Sequence, residues 1–479
     1  MSENSDIKFG TDGWRGVISR DFTFENVRWV TQAIVDYLKS ANADHNGLIV
    51  GYDRRFMSRQ YAEEVASVAA ANGLTVYISD GFAPTPAISW AVKEKGVGGG
   101  IIVTASHNPP EYNGIKFKES FGGSATPETT VIVEKLLRDR QQKGDAPLFI
   151  PYEEGVKKDL IVSFEPMKGY MKKLKSFINL EKIRDSGIRV AVDPMHGAGA
   201  GCIGRILGDL GIEVKEIRAI ENPVFGGGNP EPIDRNLGEL MALVKEEGYD
   251  VGLATDGDAD RIGAVDGRGE FFNSHKILTL LLKHMIEERG ETGNVVKAVS
   301  STRMIDILAE KYGISAIETP IGFKHICKKM LEGGVLVGGE ESGGIGISSY
   351  LPERDGILIA LILVEIMAVN GKGLEGVLDE LFEEIGIFCY DRIDLGIAGE
   401  EMLGVREKMA RIEPKLITGI KVDKISRMDG TKFFLADGSW LLLRASGTEP
   451  LLRIYAESSS KENVDALLNE GKNLLGLTE

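Results

Sequence analysis

Cysteine is scarce in this sequence. Among 479 residues there are three, Cys202, Cys327 and Cys389, which lie far apart, and no CxxC pair occurs. Disulfide frameworks and structural zinc sites both need paired or clustered cysteines. The sequence therefore argues against both kinds of site.

Excess positive charge and long apolar segments are also missing. The 56 basic residues are outnumbered by 72 acidic ones, for a net charge of −16. An acidic surface repels nucleic acids and anionic membranes. No apolar run approaches the roughly 18 residues of a membrane span, and the first ten residues do not form a signal segment. We expect a cytoplasmic protein with neither nucleic acid nor membrane as a partner.

What the sequence does contain is a repeated order of strands and helices. Three stretches each alternate predicted strands with helices, which is typical of parallel-type sheets with helices on their faces. The third predicted strand of each stretch, at 101–104, 251–255 and 335–337, runs into a polar loop. The tail contains short strands with Asp-Gly turns and a final helix. We predict three similar α/β domains with mixed sheets of parallel type, and a smaller C-terminal α+β domain. The predicted boundaries are 1–160, 161–269, 270–384 and 385–479.

The first polar loop carries a hydroxyl, an imidazole and an amide. Ser106, His107 and Asn108 follow the apolar run 101–103 and precede two prolines. Side chains at the carboxyl end of a strand have the layout of an α/β active site. An ordinary Asn-Pro turn is the alternative, and it would be favoured if this loop stood alone.

The second polar loop, TDGDADR, places carboxylates at every other position. Asp256, Asp258 and Asp260 point the same way in an extended loop and repel one another unless a cation lies between them. Oxygen ligands indicate Mg²⁺, Mn²⁺ or Ca²⁺. An EF-hand is excluded, because Arg261 and Gly267 stand where that motif needs Gly and Glu. A solvated acidic turn remains the alternative.

Three further loops carry polar groups without a specific signature. FGTDGWRG presents Arg15, which suits bidentate contact with phosphate or a surface ion pair. GGEESGG sets carboxylates and a hydroxyl among glycines, an arrangement that suits sugar hydroxyls or a solvated loop. RASGTEP combines a guanidinium, hydroxyls and glycine backbone, so it is either a phosphate nest or a plain turn.

Together these motifs make the chain resemble the α-D-phosphohexomutase family, which includes phosphoglucomutase, phosphomannomutase and phosphoglucosamine mutase. TASHNPPEYNGIK resembles the family's phosphoserine loop, DGDADR its metal loop, GEESGG its sugar loop and RASGTEP its phosphate loop. The motifs occur in family order over nearly the whole length. The resemblance implies four domains around a central cleft and an isomerase that moves a phosphoryl group between two positions of one hexose.

The resemblance also implies roles for individual residues. Ser106 would carry the phosphoryl group as phosphoserine and would hold one Mg²⁺ together with Asp256, Asp258 and Asp260. Lys116 matches a lysine implicated in proton transfer, and Arg15 and Arg261 match arginines near the phosphoserine. His107 and Asn108 would shape the serine loop. The residues expected to bind substrate are Glu340, Ser342, Lys324, Arg444, Ser446, Gly447 and Thr448.

One departure from the family pattern concerns the sugar loop. Several members place His after Ser-Gly, where this chain has Gly344. That substitution removes one acid/base candidate and leaves the second proton carrier open. GEESGG and TPIGFK are nearer to the phosphoglucomutase forms, whereas SGTEP is shared with phosphoglucosamine mutase. We expect glucose phosphate as the substrate, with mannose or glucosamine phosphate as alternatives.

Other expectations follow from the same resemblance. A hexose 1,6-bisphosphate should act as an activator, and the small phosphosugar should be the partner of a monomer or homodimer. Two other functions stay open, an Mg²⁺-dependent sugar phosphatase and a non-catalytic sugar-phosphate sensor. The paired sugar and phosphate loops argue against the phosphatase. Ser106 and the three aspartates argue against the sensor, since binding alone needs neither.

Overall fold

The structure is a computed structural model that describes residues 7–10, 12–397, 399–446 and 451–477, without the side chains of 399 and 400. The chain divides into two compact units. One unit is Met1–Gly293 with Gly322–Val377, and the other is Asn294–Ile321 with Leu378–Glu479.

The first sheet of the larger unit has six strands in the order β1-β5-β4-β2-β3-β6. These are β1 Trp14–Val17, β2 Leu48–Tyr52, β3 Val76–Ser79, β4 Gly99–Val103, β5 Tyr112–Glu119 and β6 Ile161–Phe164. Its helices are α1 Phe24–Ser40, α2 Ser58–Ala71, α3 Thr85–Lys95, α4 Pro127–Lys143 and α5 Tyr152–Lys157. Parallel pairing of β2 with β3 and β4 confirms the predicted strand–helix alternation.

Two features of this sheet differ from the sequence prediction. β5, which the sequence analysis did not assign, pairs antiparallel with β4 and β1. β6 pairs in parallel with β3, so the first sheet continues past residue 160, where the first domain was predicted to end. Charged side chains hide the usual apolar pattern of β5, because they are buried against other charged groups. β6 is only four residues long.

The second sheet has five strands in the order β11-β10-β9-β7-β8. Its strands are β7 Arg189–Asp193, β8 Glu213–Glu216, β9 Val251–Thr255, β10 Ile262–Asp266 and β11 Phe271–Phe272. The accompanying helices are α6 Pro166–Phe177, α7 Leu180–Arg184, α8 Cys202–Gly208 and α9 Gly238–Glu247. β9 and β10 pair antiparallel, so the loop with three aspartates is the turn of a hairpin.

The third set of elements is shared between the units. In chain order it comprises α10 Ser274–Glu287, β12 Asn294–Ala298, α11 Met304–Tyr312, β13 Ala316–Thr319, α12 Phe323–Glu332, β14 Val335–Gly339, β15 Ile345–Ile347, α13 Gly356–Asn370 and α14 Leu374–Ile385. β12 and β13 are parallel and lie in the smaller unit. β14 and β15 form an antiparallel hairpin in the larger one. The sugar-loop motif GGEESGG connects these two hairpin strands.

The rest of the smaller unit is an antiparallel sheet in the order β16-β21-β20-β19-β18-β17, which confirms the predicted α+β tail. Its elements are β16 Cys389–Gly396, α15 Gly399–Arg411, β17 Leu416–Ile417, β18 Ile420–Ser426, β19 Thr431–Leu435, β20 Trp440–Ala445, β21 Leu451–Ser458 and α16 Lys461–Leu475. Both expected Asp-Gly turns are present, with Gly430 and Gly438 each at φ 88°. β16 was not predicted.

Among the described residues, no single helix has both the length and the apolar composition of a membrane span. α13 and α14 meet those criteria only as a pair, and the chain bends by 73° between them. Most side chains of α13 are buried, which is typical of a core helix.

Candidate active site

Ser106 lies in the loop after β4, with a fully buried side chain and a backbone φ of 53°. A left-handed conformation costs a residue other than glycine about 1–2 kcal/mol, so surrounding contacts must hold it. The Ser106 amide donates to Thr104 Oγ1 at 2.9 Å, and that hydroxyl donates to Asp53 Oδ2 at 2.6 Å. Residues just past the ends of β4 and β2 therefore hold the backbone of Ser106 in place.

Arg55 stabilises the loop that carries Ser106 through several hydrogen bonds. The sequence analysis did not identify this residue. Its buried guanidinium donates to the carbonyls of Ser106 and Asn108 at 2.6 Å each. It also donates to Pro109 at 2.9 Å and Tyr112 at 3.1 Å. Burial lowers the pKa of Arg55 to about 10, which leaves it charged at neutral pH. The available signal was its position in GYDRR, just past the end of β2.

The three predicted metal ligands come together at the β9–β10 turn. Asp256, Asp258 and Asp260 are fully buried, and one carboxylate oxygen from each lies within 4.8 Å of the others. Ser106 Oγ donates to Asp256 Oδ2 at 2.7 Å. A Cβ at Gly257 would lie 2.5 Å from the Ser106 carbonyl oxygen, so a side chain there would force the two loops apart.

The donor set fits a hard divalent cation such as Mg²⁺. The Oδ1 atoms of Asp258 and Asp260 are buried and accept no hydrogen bond from any described residue. Buried oxygens without a donor are costly unless a cation takes them. Burial, together with Asp258 and Asp260, raises the pKa of Asp256 well above its usual range.

Lys116 projects from β5 into the aspartate cluster. Its Nζ lies 2.6 Å from both Asp258 Oδ2 and Asp260 Oδ2 and 3.0 Å from Asp12 Oδ2. Burial favours the neutral amine, but the three carboxylates outweigh burial and raise the Lys116 pKa above its usual value. The group is an ammonium in this arrangement. Thr85 Oγ1 donates to Asp258 Oδ2 at 2.5 Å on the other side.

Arg15, His107 and Arg261 contact the serine loop or the aspartate turn. Arg15 Nη1 donates to Asn108 Oδ1 at 2.5 Å, and the Arg261 amide donates to Asp256 Oδ1 at 3.1 Å. His107 Nδ1 lies 3.4 Å from Ser106 Oγ. Burial and the nearby Arg261 and Arg15 guanidinium groups hold the His107 pKa well below its usual value, so the ring is neutral.

The sugar-loop motif GGEESGG lies against the β9–β10 hairpin, whose turn carries the three aspartates. The Ile262 amide donates to the Gly343 carbonyl at 3.1 Å, which joins β10 to the β14–β15 turn. Glu340 is buried, and its Oε1 accepts a hydrogen bond from the Gly322 amide at 2.8 Å. Burial raises the pKa of Glu340, although nearby Arg354 and Arg261 oppose the rise. Ser342 is partly exposed in the same turn.

Lys324, at the start of α12, is half-buried, and its Nζ donates to the Gly10 carbonyl at 3.2 Å. Burial lowers its pKa, and Asp12 opposes that shift. Lys324 thus contacts the segment that precedes β1, the strand that contains Arg15.

A buried network of charged residues lies beside the three-aspartate cluster. The sequence analysis did not predict it. Arg354 Nη2 contacts Asp260 Oδ2 at 2.7 Å and also donates to Asp12 Oδ2. Lys118 Nζ donates to Glu353 Oε2 at 2.5 Å, and Ser124 Oγ donates to the same oxygen at 2.8 Å. All of these side chains are buried, so the ions must compensate one another. The sequence signal was charge in ERDG directly before an apolar helix.

The phosphate-loop residues belong to the smaller unit. Arg444 Nε lies 3.0 Å from Asp429 Oδ1, and the Ser446 carbonyl accepts a hydrogen bond from Arg406 at 2.9 Å. Gly447 and Thr448 lie outside the described residues.

Known proteins match this chain along nearly its whole length. A phosphoglucomutase/phosphomannomutase from Thermococcus kodakarensis is 33% identical over 467 residues, with 98% of each chain covered. The chain belongs to the phosphoglucomutase/phosphomannomutase family. Its four family domains match in order: α/β/α domains I, II and III at residues 6–143, 168–269 and 273–385, and the C-terminal domain at 402–472.

Other relatives of this phosphohexomutase carry different substrate names. A phosphoglucosamine mutase from Carboxydothermus hydrogenoformans is 31% identical and covers 96% of this chain and 97% of its own. The crystal structure of a "putative phosphomannomutase" from Thermus thermophilus has a TM-score of 0.86 and 35% identity, with 99% of this chain and 100% of that chain covered. The family identifies an enzyme of the mutase type, and it leaves the hexose open.

Proposed function

We propose that this mutase interconverts a hexose 1-phosphate and the corresponding hexose 6-phosphate through phosphoserine at Ser106. The observation that carries the proposal is the buried Ser106 hydroxyl, which lies 2.7 Å from one carboxylate of a three-aspartate cluster. A hydroxyl placed against a metal-type cluster suits phosphoryl transfer, because catalysis of that reaction depends on positioning and charge stabilisation.

The proposed reaction needs no other reactant, because each phosphoryl group moves only between Ser106 and the sugar. A free sugar hydroxyl attacks phosphoserine, so the new P–O bond to the sugar forms as the bond to Ser106 Oγ breaks. The hydroxyl proton passes to a base, and the resulting hexose bisphosphate turns over. Its other phosphoryl group then returns to Ser106, and the departing sugar oxygen takes up a proton. We assign the proton transfer of this second half to Lys116, whose Nζ lies 2.6 Å from both Asp258 Oδ2 and Asp260 Oδ2.

The aspartates and arginines supply the electrostatics. Asp256, Asp258 and Asp260 would hold one Mg²⁺ together with the phosphate on Ser106, and the bound ion would neutralise charge on the phosphoryl group in transit. Arg15 and Arg261 add fixed positive charge near Ser106, while neutral His107 lies beside Oγ.

We propose glucose phosphate as the substrate, bound by groups common to both orientations. Glu340 and Ser342 would contact sugar hydroxyls, Lys324 would contact the sugar phosphate, and Arg444, Ser446, Gly447 and Thr448 would hold the phosphate that does not react. GEESGG and TPIGFK support glucose. Relatives with mannose and glucosamine names make those sugars the alternatives. A trace of glucose 1,6-bisphosphate should raise the rate, because it recharges Ser106 after an intermediate escapes.

A coupled assay with glucose, mannose and glucosamine 1-phosphates, each with Mg²⁺ and trace bisphosphate, tests this assignment. We expect the highest kcat/KM for glucose. In Glu340→Ala, glucose and mannose activity should fall together by about 10- to 100-fold, since one hydroxyl contact contributes about 1–3 kcal/mol. Preference for glucosamine would overturn the substrate. Release of inorganic phosphate without isomerisation would overturn the mutase reaction in favour of a phosphatase.

A further inference from the structure

Arg354 occupies the space beside Gly344, the position at which the sugar loop departs from the family pattern. A Cβ at residue 344 would lie 2.4 Å from Arg354 Cδ and 3.2 Å from Cγ. Contacts shorter than 3.0 Å force one partner to move. Any side chain at 344 therefore competes directly with the alkyl chain of Arg354.

The Arg354 guanidinium contacts three different loops of the larger unit. Its Nη2 bonds to Asp260 in the metal hairpin and to Asp12 in the N-terminal loop. Its Nη1 lies 3.9 Å from Glu340 Oε2 in the sugar loop. A planar guanidinium presents five N–H donors in a rigid fork, so it can hold several carboxylates at fixed angles.

The backbone around Arg354 is equally constrained. The Gly356 amide donates to the Ala259 carbonyl at 3.1 Å, within the turn that carries the aspartates. The residue is 3% exposed, and the aliphatic part of its side chain has little room for another path. Displacing the side chain would remove the guanidinium that contacts Asp12, Asp260 and Glu340, although Asp12 and Asp260 would keep their contacts with Lys116.

We propose that Arg354 is a positioning residue that orients Asp260 and Glu340 for the reaction, and that Gly344 is required to leave room for it. The inference rests on the proposed function for the metal-binding role of Asp260. It also accounts for the departure in the sugar loop: this chain gives up a side chain at 344 and gains a fixed guanidinium that joins the metal and sugar loops.

A double-mutant cycle between Gly344→Ala and Arg354→Ala tests the pair, with Mg²⁺ affinity by calorimetry and thermal unfolding as readouts. We expect Gly344→Ala alone to weaken Mg²⁺ binding about 10-fold, the scale seen when a residue supporting a metal ligand is lost. In the Arg354→Ala background the same change should alter Mg²⁺ affinity less than about 2-fold, because no side chain remains to be displaced.

Two further variants keep the test decisive if Arg354→Ala does not fold. Arg354→Lys preserves the charge but not the multiple contacts, so it should also weaken Mg²⁺ binding about 10-fold. Gly204→Ala is the matched control, because a Cβ there meets no atom closer than 3.8 Å. It should leave Mg²⁺ affinity unchanged.

The outcomes separate this inference from the function on which it rests. Unchanged Mg²⁺ affinity in Gly344→Ala or Arg354→Lys would overturn the positioning role. The role would also be overturned if the loss of Mg²⁺ affinity in the double variant equalled the product of the losses in the two single variants. A wild-type protein that binds no Mg²⁺ would instead contradict the proposed function. The unfolding half of the cycle would then still measure the Gly344–Arg354 coupling.

Discussion

At the scale of single residues, the site is defined by buried charge. Asp256, Asp258 and Asp260 would repel one another in isolation, and Lys116 and Arg354 compensate part of that charge. Two carboxylate oxygens nevertheless remain without a donor among the described residues. The cluster is therefore not balanced by protein groups alone, and a divalent cation would supply the remaining positive charge.

Asp258→Asn should weaken Mg²⁺ binding and mutase activity together. The change removes a ligand charge while preserving side-chain volume, so the fold should survive. We expect Mg²⁺ affinity and activity each to fall by more than about 10-fold, which is the loss expected when a residue that supports a metal ligand is removed. Calorimetry with Mg²⁺ and the coupled assay measure the two effects. Asp209→Asn, at an exposed ion pair with Lys175, is the control and should change neither. Full activity after treatment with EDTA would contradict the metal assignment.

At the scale of elements, the ends of strands assemble the site. β4 delivers Ser106, the β9–β10 turn delivers the aspartates, and the β14–β15 turn delivers Glu340. Arg55, just beyond β2, then fastens the serine loop through four carbonyl groups. The left-handed φ of Ser106 depends on this bracing, because the conformation is unfavourable by itself.

Arg55→Lys should lower both activity and stability. Lysine cannot reproduce the guanidinium fork, so at least one buried carbonyl loses its donor, at a cost of about 1–3 kcal/mol. Thermal unfolding and kcat for glucose 1-phosphate measure the two losses. The matched control is Arg59→Lys on α2, whose side chain is 65% exposed. Wild-type activity in Arg55→Lys would show that the serine loop keeps its conformation without this brace.

Asp355, at the N-terminus of α13, should make stability depend on pH. It accepts a hydrogen bond from Tyr170 Oη at 2.8 Å and another from the Leu358 amide at 2.9 Å. Burial raises its pKa to about 7, although those hydrogen bonds oppose the rise. The folded state therefore binds a proton that the unfolded state, with a pKa of about 3.9, has released.

The stability that this proton contributes is fully present below about pH 4 and is lost as pH rises to about 7. Asp355→Asn keeps the helix cap without the titration. We expect the free energy of unfolding, wild type minus variant, to fall across that window and to level off above it. Urea unfolding at several pH values measures the difference. A flat difference would show that Asp355 is ionised throughout.

At the scale of the whole molecule, the sequence predicted the order of domains and the motif loops better than it predicted what surrounds them. The serine, metal and sugar loops are visible because each interrupts an apolar strand with polar residues. β5 and β16 were not predicted because polar residues mask their strand pattern, and β6 is only four residues long. Arg55, Asp12, Lys118 and Arg354 were not predicted because partners of these residues lie far away in the chain, and only folding shows that the charges are buried.

The central claim is that Ser106 carries the phosphoryl group, and mass spectrometry tests it most directly. The protein is incubated with glucose 1,6-bisphosphate and Mg²⁺, its intact mass is measured, and the modified peptide is sequenced. We predict one added phosphoryl group, located on Ser106, that is lost when excess glucose 6-phosphate is supplied and never forms in Ser106→Ala. A phosphoryl group on another residue, or mutase turnover by Ser106→Ala, would contradict the account.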